Sequence, residues 1–198
     1  MTRFAQYAFT AKVKALQERY RSRAAYAKVE ANETGDGSLG PEEIEFVNGR
    51  DSFFMATVNS DGWPYVQHRG GPPGFLRAVD PKHLIFSDYA GNKQYVSLGN
   101  LETDDRVAMI LMDYPTQSRL KIWGHARAIT IESDPDLFNI VRPPKDYPAR
   151  AERLFVIEVA AWDWNCHQHI TPRYSLDELT EQFADRCPDA ITDNDTLR

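Results

Sequence analysis

The sequence predicts a mainly β protein of the α+β class: six or seven antiparallel strands forming a closed or split barrel, with a helical N-terminal extension and short peripheral helices. Two patterns carry this reading. From Ser52 onward, short apolar runs rich in β-branched and aromatic residues are separated by turn signals, which is the pattern of strands. Residues 2–32 instead repeat apolar and small residues at three- and four-residue intervals, the period of a one-faced helix. The length of 198 residues with 42% hydrophobic side chains suits one sizeable core.

Phe4, Ala8, Ala11, Ala15, Leu16, Tyr20, Ala24 and Ala27 share one stripe, with Lys, Arg, Gln and Glu between them, so 2–32 reads as a helical extension. Asn32 to Gly40 contains three glycines and one large apolar residue, Leu39, and is expected to be a flexible link. Pro41 opens a short helix whose first turn holds Glu42 and Glu43 at the positive end of the dipole, and Gly49 closes it. Strands are expected at Phe53 to Val58, Tyr65 to Arg69, Phe75 to Val79, His83 to Ser87, Arg106 to Met112, Leu120 to Ile131 and Leu154 to Val159. Asn59-Ser60-Asp61-Gly62 and Asp80-Pro81 supply turns, and closing such strands into a barrel removes exposed edges. Helices are expected at Asn92 to Leu101, Pro135 to Val141 and Ser175 to Arg186. The organisation is thus an extension with its link at 1–40, a body at 41–188 and a polar, frayed tail at 189–198.

Composition narrows the function. With 23 basic against 29 acidic residues the net charge is −6, which disfavours a nucleic-acid or anionic-membrane partner. No apolar run reaches the roughly 18 to 20 residues of a membrane span. Two cysteines, Cys166 and Cys187, make no disulfide framework, and no apolar signal core follows Met1, so a cytoplasmic protein is expected.

Four segments could carry chemistry. Tyr65 to Phe75 runs a polar strand into a glycine- and proline-rich loop; alternation puts Gln67 and Arg69 on one face and His68 on the other. Gly70, Gly71 and Gly74 would let backbone N–H groups approach a ligand beside the forked Arg69 donor, although a solvated hairpin fits the residues as well. Ser87 to Gln94 ends a strand, turns at Gly91 and enters the expected helix with Asn92 as cap and Lys93 beside it, either an anion site or a plain helix start. Ser118 to Gly124 alternates strictly, with Arg119 and Lys121 on one face, as a half-exposed strand would also do. Trp162 to His169 is dense in metal-capable groups, and an extended chain would put His167 and His169 on one face. No second cluster matches it, so a packed aromatic and polar wall is expected there rather than a metal site. Walker, Rossmann and nucleophile-elbow motifs are absent, and His167 would face away from Cys166, which argues against a thiol hydrolase.

Taken together, Phe53 to Val58, Gly62 to Gly71, Phe86 to Gln94 and Arg119 to Gly124, in this order and spacing, resemble the FMN-binding split-barrel proteins related to pyridoxamine 5'-phosphate oxidase, over roughly residues 42–170. Trp164, Asn165, Cys166, His169, Ile170 and Arg173 match a C-terminal stretch common in such sequences. The resemblance implies a six-stranded antiparallel FMN-binding split β-barrel and a homodimer with FMN bound at its interface. By position it puts Gln67, His68, Arg69 and Gly70 along the flavin, and Ser87 and Asp88 at its ribityl or ring edge. Asn92, Lys93 and Gln94 would approach the phosphate, Arg119 and Lys121 would lie on a strand reaching across the dimer, and Trp164 and Cys166 would belong to the cofactor wall. Gln67 and the Lys93-Gln94 pair depart from the oxidases, which have Arg and Arg-Lys there, so the resemblance implies the cofactor and the fold and names no reaction. The leading expectation is an oxidoreductase passing hydride or electrons from a reduced nicotinamide or small organic donor to a small acceptor. A non-catalytic FMN carrier or redox sensor, and a dimer without flavin, are the alternatives.

Overall fold

Alternation along Ser52–Val58 (β1) turns Phe53, Met55 and Thr57 inward and Phe54, Ala56 and Val58 outward. The computed structural model describes residues 2–183. The other strands are Pro64–Gly70 (β2), Leu76–Ala78 (β3), His83–Tyr89 (β4), Arg106–Asp113 (β5), Ser118–Thr130 (β6) and Ala151–Trp164 (β7). They form one seven-stranded antiparallel sheet in the order β2-β1-β5-β6-β7-β4-β3. All seven strand segments expected from the sequence are present, with the one expected at Phe75 to Val79 shortened to the three residues of β3, one strand more than the six-stranded barrel that the resemblance implies. The sheet does not close: β2 and β3 remain its two ends, so the barrel is split and the expectation that closure abolishes edges does not hold.

Curling of the sheet nevertheless brings its ends around one core. The Phe53 ring on β1 meets Phe86 on β4 edge-on at 5.1 Å and stacks on Phe75 at 5.9 Å; Phe86 in turn stacks on Phe155 of β7 at 4.9 Å. All four are buried, and each contributes about 1.5 to 3 kcal/mol of burial free energy. Strands β4 and β7 are buried on both faces, because Ile85, Leu154 and Val156 form a second cluster with Val141 at the end of the helix Pro135–Ile140 (α6).

The N-terminal extension is three helices, Phe4–Ala8 (α1), Ala11–Arg19 (α2) and Arg23–Asn32 (α3), rather than one. Thr10 starts α2 by accepting from the Val13 N–H, and Arg21, at φ 63°, breaks the chain before α3, since a left-handed residue cannot continue a right-handed helix. Helix α1 lies on β6, with Phe4 5.0 Å from the Trp123 ring and Tyr7 edge-on to the same indole. The expected flexible link is pinned: Glu33 accepts from the Ala5 and Gln6 N–H groups, Trp162 Nε1 donates to the Ser38 carbonyl at 3.0 Å, and Leu39 is buried. Gly37, at φ +87°, leaves no room for a side chain, since a Cβ there would stand 2.3 Å from the Ala160 carbonyl oxygen.

Pro41–Asn48 (α4) starts as expected, with the Glu43 carboxylate accepting from the Gly40 N–H at 2.9 Å. The helix expected from Asn92 is shorter, Val96–Leu101 (α5). The last is Leu176–Phe183 (α7). Cys187 and the polar tail from residue 189 lie outside the described residues. Among the described residues no helix is long and apolar enough to cross a membrane.

Candidate functional site

The split between the two ends of the sheet holds a cavity of about 290 Å³. Nine of the expected site residues line it: Gln67, His68, Arg69 and Gly70 from β2, Ser87 and Asp88 from β4, and Asn92, Lys93 and Gln94 from the following loop. The alternation on β2 is as expected, with Gln67 and Arg69 half-buried and His68 exposed, its ring edge-on to Phe54 at 5.4 Å. Tyr65 donates its hydroxyl proton to Gln67 Oε1, which orients the amide.

The floor of the cavity is a charge network. Arg69 Nη1 donates to Asp88 Oδ1 at 2.6 Å, Arg153 Nη1 reaches Asp88 Oδ2 at 3.4 Å, and Arg153 Nη2 donates to Glu152 at 2.9 Å. The Arg69 guanidinium also sits 5.3 Å from the Phe155 ring centre and 5.8 Å from that of Phe86, while its Nε is buried without a hydrogen-bond partner. Burial pushes Asp88 above the ordinary carboxylate range, against the pull of Arg69 and Arg153 and with some help from Glu152. Burial likewise lowers Arg69, which its high intrinsic value keeps cationic. Tyr89, beside Tyr147, is pushed up to about 12, chiefly by burial.

The expected cap at Asn92 is corrected, and other residues of these segments have partners within the chain. Asn92 is no helix cap: Lys93 at φ 60° and Tyr95 at φ 54° are left-handed, so the helix starts only at Val96, and Asn92 Oδ1 instead accepts from the Gln94 N–H in a local turn. Ser87 is buried and its hydroxyl donates to the Val141 carbonyl at 2.7 Å. Gly71 serves packing, because a Cβ there would come within 2.6 Å of the Phe75 ring that folds beneath the loop. Past Trp164 the chain leaves the strand and turns, with His169 at φ 66° and His167 Nδ1 at 3.0 Å from the Gln117 carbonyl, so the two histidines do not share an extended face.

Four expected residues lie away from this cavity. Lys121 pairs with Asp163 at 2.9 Å and covers the Phe4 ring; Arg119, its neighbour on the same face, has a buried Nε without a partner. Trp164 Nε1 donates to Glu43 at 2.7 Å and packs on Phe46, anchoring α4, and Cys166 is exposed. The sequence reading missed Arg153 and Glu152. The β4–β7 register sets Arg153 opposite Asp88, and the one signal was a charged pair at the head of an apolar strand. A smaller cavity of about 160 Å³ lies by His83, His125 and Glu158. Among the described residues no group of three or more His, Cys, Asp or Glu could hold a metal ion.

A curled, open antiparallel sheet with a charged cavity at its split defines a split-barrel protein of the α+β class. The family model of pyridoxamine 5'-phosphate oxidase matches residues 39–166, and the chain belongs to that family. No curated protein matches it in sequence. Among solved structures it is similar to HupZ of Group A Streptococcus, with 16% identity, 69% of this chain and 99% of that one covered, and a TM-score of 0.49. It is also similar to an FMN-binding protein of Syntrophomonas wolfei (12% identity, 72% and 97% covered, TM-score 0.49) and to an F420 reductase (22% identity, 63% and 98% covered, TM-score 0.44).

Proposed function

We propose that the chain is an FMN-binding oxidoreductase that works as a homodimer. The observation that carries this reading is convergence: two segments at opposite ends of the sheet, 67–70 on β2 and 87–94 on β4 and its following loop, line one cavity at the split. Their donors suit a phosphorylated flavin. Lys93 makes no ion pair with a described residue, and the Ser97 hydroxyl, which also lines the cavity, is buried without a partner, so these two would hold the phosphate. Gln67, with both a donor and an acceptor on its amide, and the unpartnered Nε of Arg69 would hold the polar edge of the ring. FMN, when bound, supplies hydride acceptance and electron transfer. Phe75 and Phe155 exclude water from one side of the cavity, and the Arg69–Asp88–Arg153 network fixes the orientation of the Arg69 donor.

A second copy completes the site in this reading. The outer faces of β2, β1 and β5 align Val66, Ala56 and Ala108 in one row and put Phe54 beside Ile110 in the next, an apolar surface on which Val66 is 62% exposed. Self-association through such a face is isologous, and it would let Arg119 on the neighbouring strand reach the partner's cavity.

The test is the visible spectrum. Protein incubated with excess FMN and desalted is expected to keep stoichiometric flavin, with bands near roughly 370 and 450 nm, and to bleach anaerobically with NADH or NADPH. Absence of bound flavin overturns the cofactor, flavin that no nicotinamide or small organic donor reduces overturns the oxidoreductase, and a monomer in sedimentation overturns the dimer.

A further inference from the structure

The net acidity of the chain conceals a segregation of charge between its two ends. Residues 10–32 carry Lys12, Lys14, Arg19, Arg21, Arg23 and Lys28 against only Glu18 and Glu30. Glu30 is used internally, pairing with Lys14 and Arg23 to hold α2 against α3, so Lys12, Arg19, Arg21 and Lys28 form no ion pair with a described residue. The hairpin also buries almost nothing: Gln17 is the one buried residue of α2, and α3 has none. Leu16 and Tyr20 share a face of α2 at an interval of four, Tyr26 and Val29 a face of α3 at an interval of three, and Tyr20 is 71% exposed.

The opposite end has the complementary character. Helix α7 starts on a reciprocal cap, in which Ser175 N–H donates to Glu178 and Glu178 N–H to Ser175 Oγ, and its first turn carries Asp177 and Glu178. Leu176, 79% exposed, and Leu179 lie three apart, and every residue from 171 to 180 is exposed. Helices of 8, 9 and 10 residues fall below the roughly 12 to 15 at which an isolated helix is even marginal in water, so each needs a packed apolar face, and Leu16, Tyr20, Leu176 and Leu179 are exposed residues that could supply one.

We propose that the basic α2–α3 hairpin is the docking surface for the acidic helix α7 of a second copy of this chain. Opposite charge and paired apolar faces recommend the match, and in an isologous dimer the contact occurs twice. It rests on the homodimer proposed above and adds to it the two segments that clasp, both outside residues 39–166 matched by the family model.

The test uses the full chain, with 15N-labelled and unlabelled protein mixed until subunits exchange and then treated with a zero-length carbodiimide. Cross-links from Lys12 or Lys28 to Asp177 or Glu178 that join a labelled to an unlabelled chain are expected. In Leu179→Asp, which keeps both reactive carboxylates, their yield is expected to fall roughly tenfold. Cross-links confined to single chains, or none in protein that sediments as a flavin-loaded dimer, overturn the clasp and leave the proposed function standing. Binding of the protein to phosphatidylserine vesicles that Lys12→Glu/Lys28→Glu abolishes, with no such cross-links, assigns the hairpin to a lipid surface and overturns it too. Loss of the dimer itself would show first in sedimentation and would count against the earlier reading as well.

Discussion

Arg69 on β2 and Asp88 on β4 are joined at 2.6 Å although four strands separate β2 from β4 in the sheet order. The ion pair therefore spans the split, where no backbone ladder joins the two ends. Both side chains are more than four-fifths buried, at 17% and 12% exposure, so water screens the pair little.

This pair should be strongly coupled. Arg69→Ala leaves Asp88 with only the longer contact to Arg153, and Asp88→Ala leaves two guanidiniums facing each other. A double-mutant cycle in urea is expected to return a coupling of about 1 to 3 kcal/mol. Additive single changes would mean that the Phe53, Phe75 and Phe86 packing alone holds the split.

Asp88 also sets a pH dependence. Its folded value is raised above the ordinary 3.8, so in the interval between those two values the folded state binds more protons than the unfolded chain. The charged carboxylate thus costs stability, fully above the raised value, and the cost disappears as the pH falls to 3.8 and below. The difference in urea midpoint between the wild type and Asp88→Asn should change across that interval, in the wild type's favour on acidification. Asp104, held at about 2 mainly by its hydrogen bond from Arg106, loses its own contribution only as the pH falls below 3.8, and it cancels in the comparison.

The phosphate role proposed for Lys93 can be tested apart from recognition of the ring. Charge-assisted hydrogen bonds contribute about 1.5 to 3 kcal/mol, so Lys93→Gln is expected to weaken FMN about tenfold to a hundredfold and to leave riboflavin, which lacks the phosphate, nearly unchanged. Titration of flavin fluorescence reads both. Equal weakening of the two ligands would move the phosphate to Arg69, Arg119 or Lys121.

Gly37 tests whether the link is part of the fold. A Cβ at φ +87° and 2.3 Å from the Ala160 oxygen forces the segment off β7, so Gly37→Ala is expected to release residues 33–40 to limited proteolysis while the barrel keeps its unfolding midpoint within about 1 kcal/mol. Unchanged protease resistance would show that the Trp162–Ser38 and Leu39–Pro81 hydrogen bonds suffice without it.

The sequence by itself determined the strands, because a period of two is written directly in residues such as Phe53, Met55 and Thr57. Through the resemblance that their joint order carries, it also grouped Gln67 to Gly70 with Ser87 to Gln94, and both segments line the one cavity. Tertiary structure alone decided the rest. Whether Asn92 caps a helix depends on the backbone at Lys93 and Tyr95, and both residues take left-handed angles that their local propensity does not announce. Whether Asn32 to Gly40 is loose depends on Trp162, Ala5 and Pro81, partners far away in the chain. Arg153 became part of the cavity only through the register of β7 against β4, which sets it opposite Asp88; the Glu152-Arg153 pair at the head of an apolar strand does not by itself say what it faces, because contacts between distant strands are fixed by packing of the whole sheet.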